Sequence, residues 1–137
     1  MPVKFLDLER TSSSAKDTDW TAKLVDVQSN GYAQNIQSGI VRARYRDGTG
    51  RPGKMIAPGQ VYAYTIDLWA TSYVLLPGHR LRLEISSSDF PRFDRNLNSG
   101  EDPNTGTRAT VAKQVVYHNA RYPSHIVLPL ISRSSGG

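Results

Sequence analysis

Apolar and polar residues alternate with a period of two along most of this chain, which places successive side chains on opposite faces of extended segments. "WTAKLVDVQ", from Trp20 to Gln28, reads as a strand ended by the turn signal Ser29-Asn30-Gly31. "GIVRARYR" follows, with Val41, Ala43 and Tyr45 on one face and Arg42, Arg44 and Arg46 on the other. "DGTGRPGK" is a loop by composition, and "QVYAYTIDLW" alternates again before Tyr73 to Leu76 runs apolar into Pro77-Gly78. "HRLRLEISSS" is the clearest strand, with Leu81, Leu83 and Ile85 opposite Arg80, Arg82 and Glu84. "TRATVAKQVVYHN" and "SHIVLPLI" complete the series. No segment holds a 3.6-residue apolar stripe, so the pattern predicts an all-β sandwich or barrel.

Between the fifth of these runs and the next lies "SSSDFPRFDRNLNSG", Ser86 to Gly100. Asp, Asn, Arg and Pro mark it as a loop, but a purely solvated loop has no use for Phe90 and Phe93. Asp89, Phe90, Arg92, Phe93, Asp94 and Asn96 are therefore the candidate interface or ligand-contact residues.

The 137 residues suffice for one domain with a real core. A mean hydropathy of −0.46 and the lack of a long apolar run exclude a membrane-spanning helix. "MPVKFLDLERT" lacks the apolar centre of a secretory leader, so a chain expressed as it stands is expected in the cytoplasm. With no cysteine, disulfides, zinc thiolates and thiol nucleophiles are excluded. The net charge of +5 suits an anionic partner, but in a domain of this size it serves solubility more often, and nucleic acid is disfavoured.

Four constellations of side chains bear on chemistry. Serine hydrolysis needs a G-x-S-x-G elbow between strand and helix; the pattern is missing, and His79, His118 and His125 read as surface or turn residues. Asp17 and Asp19 in "DTD" supply two oxygen ligands where calcium wants six or more, so a turn bonding nearby backbone N–H groups is preferred. The arginines at 42, 44, 46, 80 and 82 lack the exposed stacking aromatics of a nucleic-acid surface and read as outward faces, solvated or paired with acids such as Glu84. Sugar binding has only a permissive signal: Trp20 and Trp69 fit strand cores, and Phe90 and Phe93 are left as the exposed candidates. No catalytic residue, metal ligand or cofactor site is assigned.

The ordered set "SSSAKDTDWTAKLVDV", "GIVRARYR", "PGHRLRLEISSSDFPRFDRNLNSGE" and "VYHNARYPSHIVLPLI" resembles one family over Ser12 to Ile131. It is the C-terminal non-catalytic domain of hydrolases that include X-prolyl dipeptidyl aminopeptidases, bacterial cocaine esterase and α-amino-acid ester hydrolases. The resemblance implies a jelly-roll β-sandwich, similar in shape to galactose-binding domains, that follows an α/β-hydrolase domain and helps to wall its cleft. It also implies that the Ser-Asp-His triad lies wholly in that other domain, so no catalytic residue transfers to this chain. The loop from Ser87 to Asn98 matches a family loop, which leaves the sandwich's own edge and the hydrolase domain as surfaces for Phe90 and Phe93.

The family's domain ordinarily begins further upstream, and "MPVKFLDLERT" matches it poorly beyond "PVK". The expected organisation is an atypical segment over 1–11, a sandwich over 12–131 shortened at its N-terminal side, and a linker-like tail over 132–137. A sandwich short of strands exposes unpaired edges, which predicts a homo-oligomer. The alternative function is an independent carbohydrate-binding module that uses the loop aromatics.

Overall fold

The computed structural model describes residues 4–131, and side chains from Arg10 onward. The tail expected over 132–137 lies outside the described residues.

Among the described residues, nine antiparallel strands form a β-sandwich. In the first sheet, β1 (Lys4–Ser13) is central, with β4 (Tyr62–Ala70) along one side. Its other side is shared by β6 (Gln114–Val116), opposite Thr11 to Ser13, and β9 (His125–Val127), opposite Leu6 to Leu8. In the second sheet, β2 (Asp19–Val27) lies between β3 (Ala33–Arg42) and β5 (Arg80–Ser86). A small hairpin, β7 (His118–Asn119) with β8 (Tyr122–Pro123), completes the set.

The period-two pattern explains the core. Trp20, Ala22 and Leu24 from β2 and Tyr64, Ile66 and Leu68 from β4 are buried together with Ala43 and Ile56. Each trio is an alternate row, so the two sheets bury facing rows between them. Leu83 and Ile85, paired across to Leu24 and Ala22, extend the β2 row onto β5. Trp20 is therefore core, as its strand position implied, whereas Trp69 at the end of β4 is exposed at 63%.

Gly39 lets the sheets close on one side. A Cβ at this position would collide with the carbonyl oxygen of Asp67 on β4, so β3 comes up against β4 only because residue 39 has none. Opposite Leu24 and Val25 the register shifts, with Gln37 and Asn35 as partners and Ile36 as the extra residue of a bulge.

Two sequence expectations change. The strand through "GIVRARYR" stops at Arg42, and Ala43–Tyr45 forms a 3-10 turn. The backbone N–H of Ala43 there donates to the Thr18 carbonyl (2.8 Å), so the three arginines share no strand face. The expected strand over 107–119 is reduced to Gln114–Val116 and His118–Asn119, and that over 124–131 to His125–Val127. Residues on both sides of the 11/12 boundary belong to β1, so the strand runs continuously through the expected limit of the N-terminal segment. Among the described residues no helix is long and apolar enough to cross a membrane.

Candidate functional site

Two clusters of polar side chains occupy the two ends of β2. At its N-terminal end, Asp17 and Asp19 are buried beside the 3-10 turn. Asp19 accepts two parallel hydrogen bonds from Arg42, Nε to Oδ1 at 2.9 Å and Nη2 to Oδ2 at 3.0 Å. Asp17 accepts from the Arg44 backbone N–H (3.0 Å) and from Arg44 Nε (2.7 Å). The Asn96 amide closes the network, donating from Nδ2 to Asp17 Oδ2 (2.9 Å) and Asp19 Oδ1 (2.8 Å). Charge balances as two carboxylates against two guanidinium groups, which is the condition under which buried charges are tolerated. The hydrogen bonds that Arg42 donates to Asp19 push the Arg42 pKa further up, against the opposing effect of burial.

The "DTD" carboxylates therefore point at cations of their own chain. They do not cap a local turn, which corrects the reading preferred from sequence, and their oxygens are engaged by N–H donors instead of being offered to calcium. Arg42 and Arg44 likewise face inward, which corrects the expected outward face. Arg46 donates to the carbonyls of Ala43 (3.0 Å) and Lys54 (2.6 Å), and Arg82 pairs with Glu84 at 2.6 Å as anticipated.

The Ser86–Gly100 loop is fastened over this end. Asp89 pairs with Lys23 (2.6 Å), Arg92 donates to Ser38 Oγ (2.5 Å), and Asp94 accepts from Arg42 (3.2 Å). Asn96 is the innermost anchor, as described above. Phe93 is half-buried with the Arg92 guanidinium 5.5 Å from its ring centre. Phe90, beside the cis Phe90–Pro91 peptide, is exposed at 66%. Five of the six candidate residues thus make contacts within the domain, and Phe90 presents its ring outward. The hollow beside the loop, lined by Asn96, Leu97, Ser99, Glu101, Asp102 and Pro103, is of water size.

At the other end of β2 the inward row Trp20, Ala22, Leu24 continues to Asp26, which is buried. Its Oδ2 accepts from the Tyr73 hydroxyl at 2.7 Å and lies 2.8 Å from His79 Nδ1. Burial pushes the Asp26 pKa up, but the hydrogen bonds from His79 and Tyr73 outweigh it and hold the carboxyl below its ordinary value. The same hydrogen bond raises the Tyr73 hydroxyl. Tyr73 and His79 bracket the β4–β5 connection, so one carboxylate grips both ends of that loop. The sequence reading passed over this cluster. Its signal was a carboxylate at an inward position of an otherwise apolar row, with a histidine in a nearby turn. His118 and His125 are exposed.

At both ends of β2, buried carboxylates fasten loops to the strand. Residues 9–127 match the family model of the X-Pro dipeptidyl-peptidase C-terminal non-catalytic domain. The chain belongs to this family. It is 47% identical over 124 residues to the cocaine esterase of Rhodococcus sp. (strain MB1 Bresler), covering 89% of this chain and 21% of that protein. A putative serine esterase of Mycobacterium bovis (strain ATCC BAA-935 / AF2122/97) is 28% identical over 136 residues, covering 88% of this chain and 20% of that protein. Among solved structures, an aminopeptidase from a marine sediment archaeon, Thaumarchaeota archaeon, superposes with a TM-score of 0.83 at 31% identity, covering 96% of this chain and 24% of that one. A selenomethionine-labelled α-amino acid ester hydrolase gives 0.84 at 27%, covering 92% and 24%. The chain spans about one fifth of the length of the curated relatives it matches. As a member of the family, it corresponds to a non-catalytic domain of larger hydrolases.

Proposed function

We propose that this domain is the structural partner of an α/β-hydrolase catalytic domain that works through an activated serine on an ester or on an amide next to proline. The domain supports that catalytic body, helps to wall its cleft and contributes contacts to a homo-oligomer. The observation that carries the reading is the family match combined with its place in the relatives. A segment of about a fifth of their length recurs as a unit in proteins named as esterases. The polar geometry fits this role, because the buried carboxylates Asp17, Asp19 and Asp26 and the His79 ring are engaged in intramolecular anchoring. The His79 ring bonds Asp26 and its backbone N–H donates to the Leu76 carbonyl at 3.1 Å, so neither contact sets the imidazole against a serine hydroxyl. The Asp89–Asn96 loop enters the proposal as a contact loop, with Phe90 as its outward residue.

The test is a chimera in which this chain replaces the matching segment of the Rhodococcus cocaine esterase. The expected result is an esterase whose activity survives heating longer than that of the same enzyme lacking the segment. A serine-reactive phosphonate should label that chimera only outside these 137 residues. Labelling of this chain alone would reject the non-catalytic reading. Saturable stabilisation by a mono- or oligosaccharide, lost in Phe90→Ala, would favour a carbohydrate-binding module instead.

A further inference from the structure

The β4–β5 connection carries the largest continuous run of outward apolar side chains in the described chain. Trp69, Tyr73, Val74, Leu75 and Leu76 are exposed, and Tyr32 and Leu81 are exposed beside it. Strand pairing places these residues together. Leu81 pairs with Asp26, which binds Tyr73, while Tyr32 follows the turn that joins β2 to β3. The ten residues from Trp69 to Gly78 include no charged side chain.

Two features show that this segment is held in place. Asp26 binds Tyr73 within it and His79 just after it. Trp69 has a φ of 62°, a left-handed conformation that a bulky residue rarely adopts. Its N–H is tied to Asp67 Oδ1 at 2.7 Å. A bulky indole fixed in an unfavourable backbone conformation and turned into solvent gains nothing in the domain by itself.

We propose that the segment Trp69–Gly78, presented by the Asp26 clamp, is the surface on which the catalytic hydrolase domain docks, an inference that rests on the parent-enzyme reading above. The occupant follows from proportion and chemistry. About four fifths of each curated relative lies outside the matched segment, which makes the rest of the parent enzyme the largest body available to cover this face. A charge-free apolar centre is what a permanent protein interface uses, since every charge buried there must be desolvated. Exposed Phe90 offers a single ring at the other end of the sandwich, a smaller contact than this seven-residue face.

The test uses the Rhodococcus esterase chimera and the 137-residue chain side by side. Hydrogen exchange over residues 69–79 should be at least about tenfold slower in the chimera than in the chain alone, as expected for backbone covered by an interface. Replacing Val74, Leu75 and Leu76 together by Ser should shorten the chimera's half-life at elevated temperature by about tenfold or more, the loss typical of interface anchors. It should lower the melting temperature of the chain alone much less than it destabilises the chimera, because about half of each of these side chains is already in water. Val111→Ser, at an exposed position away from this face, is the control. A stable, active chimera with fast exchange over 69–79 and no response to the triple change would overturn the docking surface and leave the parent-enzyme reading intact. A chimera no more stable than the truncated esterase would remove both. Protection of 69–79 in the chain alone that disappears on dilution would assign the surface to a second copy and also overturn the inference.

Discussion

Asn96 holds two carboxylates with one amide, so its contribution is not replaceable by size alone. Asn96→Ala leaves Asp17 and Asp19 each short of a donor inside the protein, and the cost is expected at about 1–3 kcal/mol. Asp19→Ala is expected to cost more, about 3–5 kcal/mol, because it removes both parallel hydrogen bonds of the partly buried Arg42 guanidinium and leaves it only the longer contact to exposed Asp94. Urea unfolding of the two variants should rank them in that order, and equal, small effects would show the network to be incidental. Gly39→Ala probes a different constraint. Its new methyl meets a backbone carbonyl on β4, which has no rotamer to move into, so a loss of at least about 1–3 kcal/mol is expected in the same assay. At this scale the sequence was only partly informative. Loop composition picked out Asn96 and its neighbours. Which acid meets which arginine depends on the Ala43–Tyr45 turn, and that turn follows from a backbone hydrogen bond to Thr18 that periodicity does not register.

The strands whose faces are buried were the legible elements. β4 alternates cleanly and β2 carries an apolar inward row because one face of each packs on the other sheet, and these core rows were readable as periodicity. The C-terminal third was not, since Gln114–Val116 and His125–Val127 pair with β1 only briefly and are half-exposed. The β4–β5 connection was read as an apolar run into a turn, while its clamp at Asp26 was missed. That clamp gives the element a pH dependence of definite sign. The Asp26 carboxyl is lower in the folded chain than in the unfolded one, so the unfolded state takes up protons first as the medium is acidified. The associated stability is complete above the ordinary value of 3.8 and declines as the pH falls from there through the folded value. Unfolding midpoints measured from neutral pH down to about pH 2.5 should therefore fall less steeply in Asp26→Asn than in the parent chain. Asp26→Asn should also be the less stable of the two at neutral pH, and hydrogen exchange over 73–79 should be faster in it. A parallel pair of pH profiles would remove Asp26 as the clamp.

For the whole molecule, the fold class was legible because short alternating runs separated by turn residues leave little besides a sandwich, and the ordered motifs led to the family. The pattern shows which residues share a face but not what covers that face, so the quaternary arrangement has to be argued from edges. β3 runs against β4 at Gly39, which shields that side of the sandwich. On the other side of the second sheet β5 is the outer strand, with one row of backbone groups directed away from β2. Its exposed Arg82–Glu84 pair contributes little to stability and does not block an approaching strand as a proline or an inward charge would. We therefore expect the chain to self-associate through β5, with a light-scattering mass above the 15.2 kDa of one chain that rises with concentration. Arg82→Pro, which removes a backbone donor and stiffens the edge, should return the mass to the monomer if the Arg82 N–H faces outward. In that assembly concentration-dependent exchange protection should fall on residues 80–86, which separates edge pairing from any contact through 69–79. A monomer mass at all concentrations would leave the β5 edge to a neighbour within the parent enzyme, and oligomer contacts would then drop out of the proposed role.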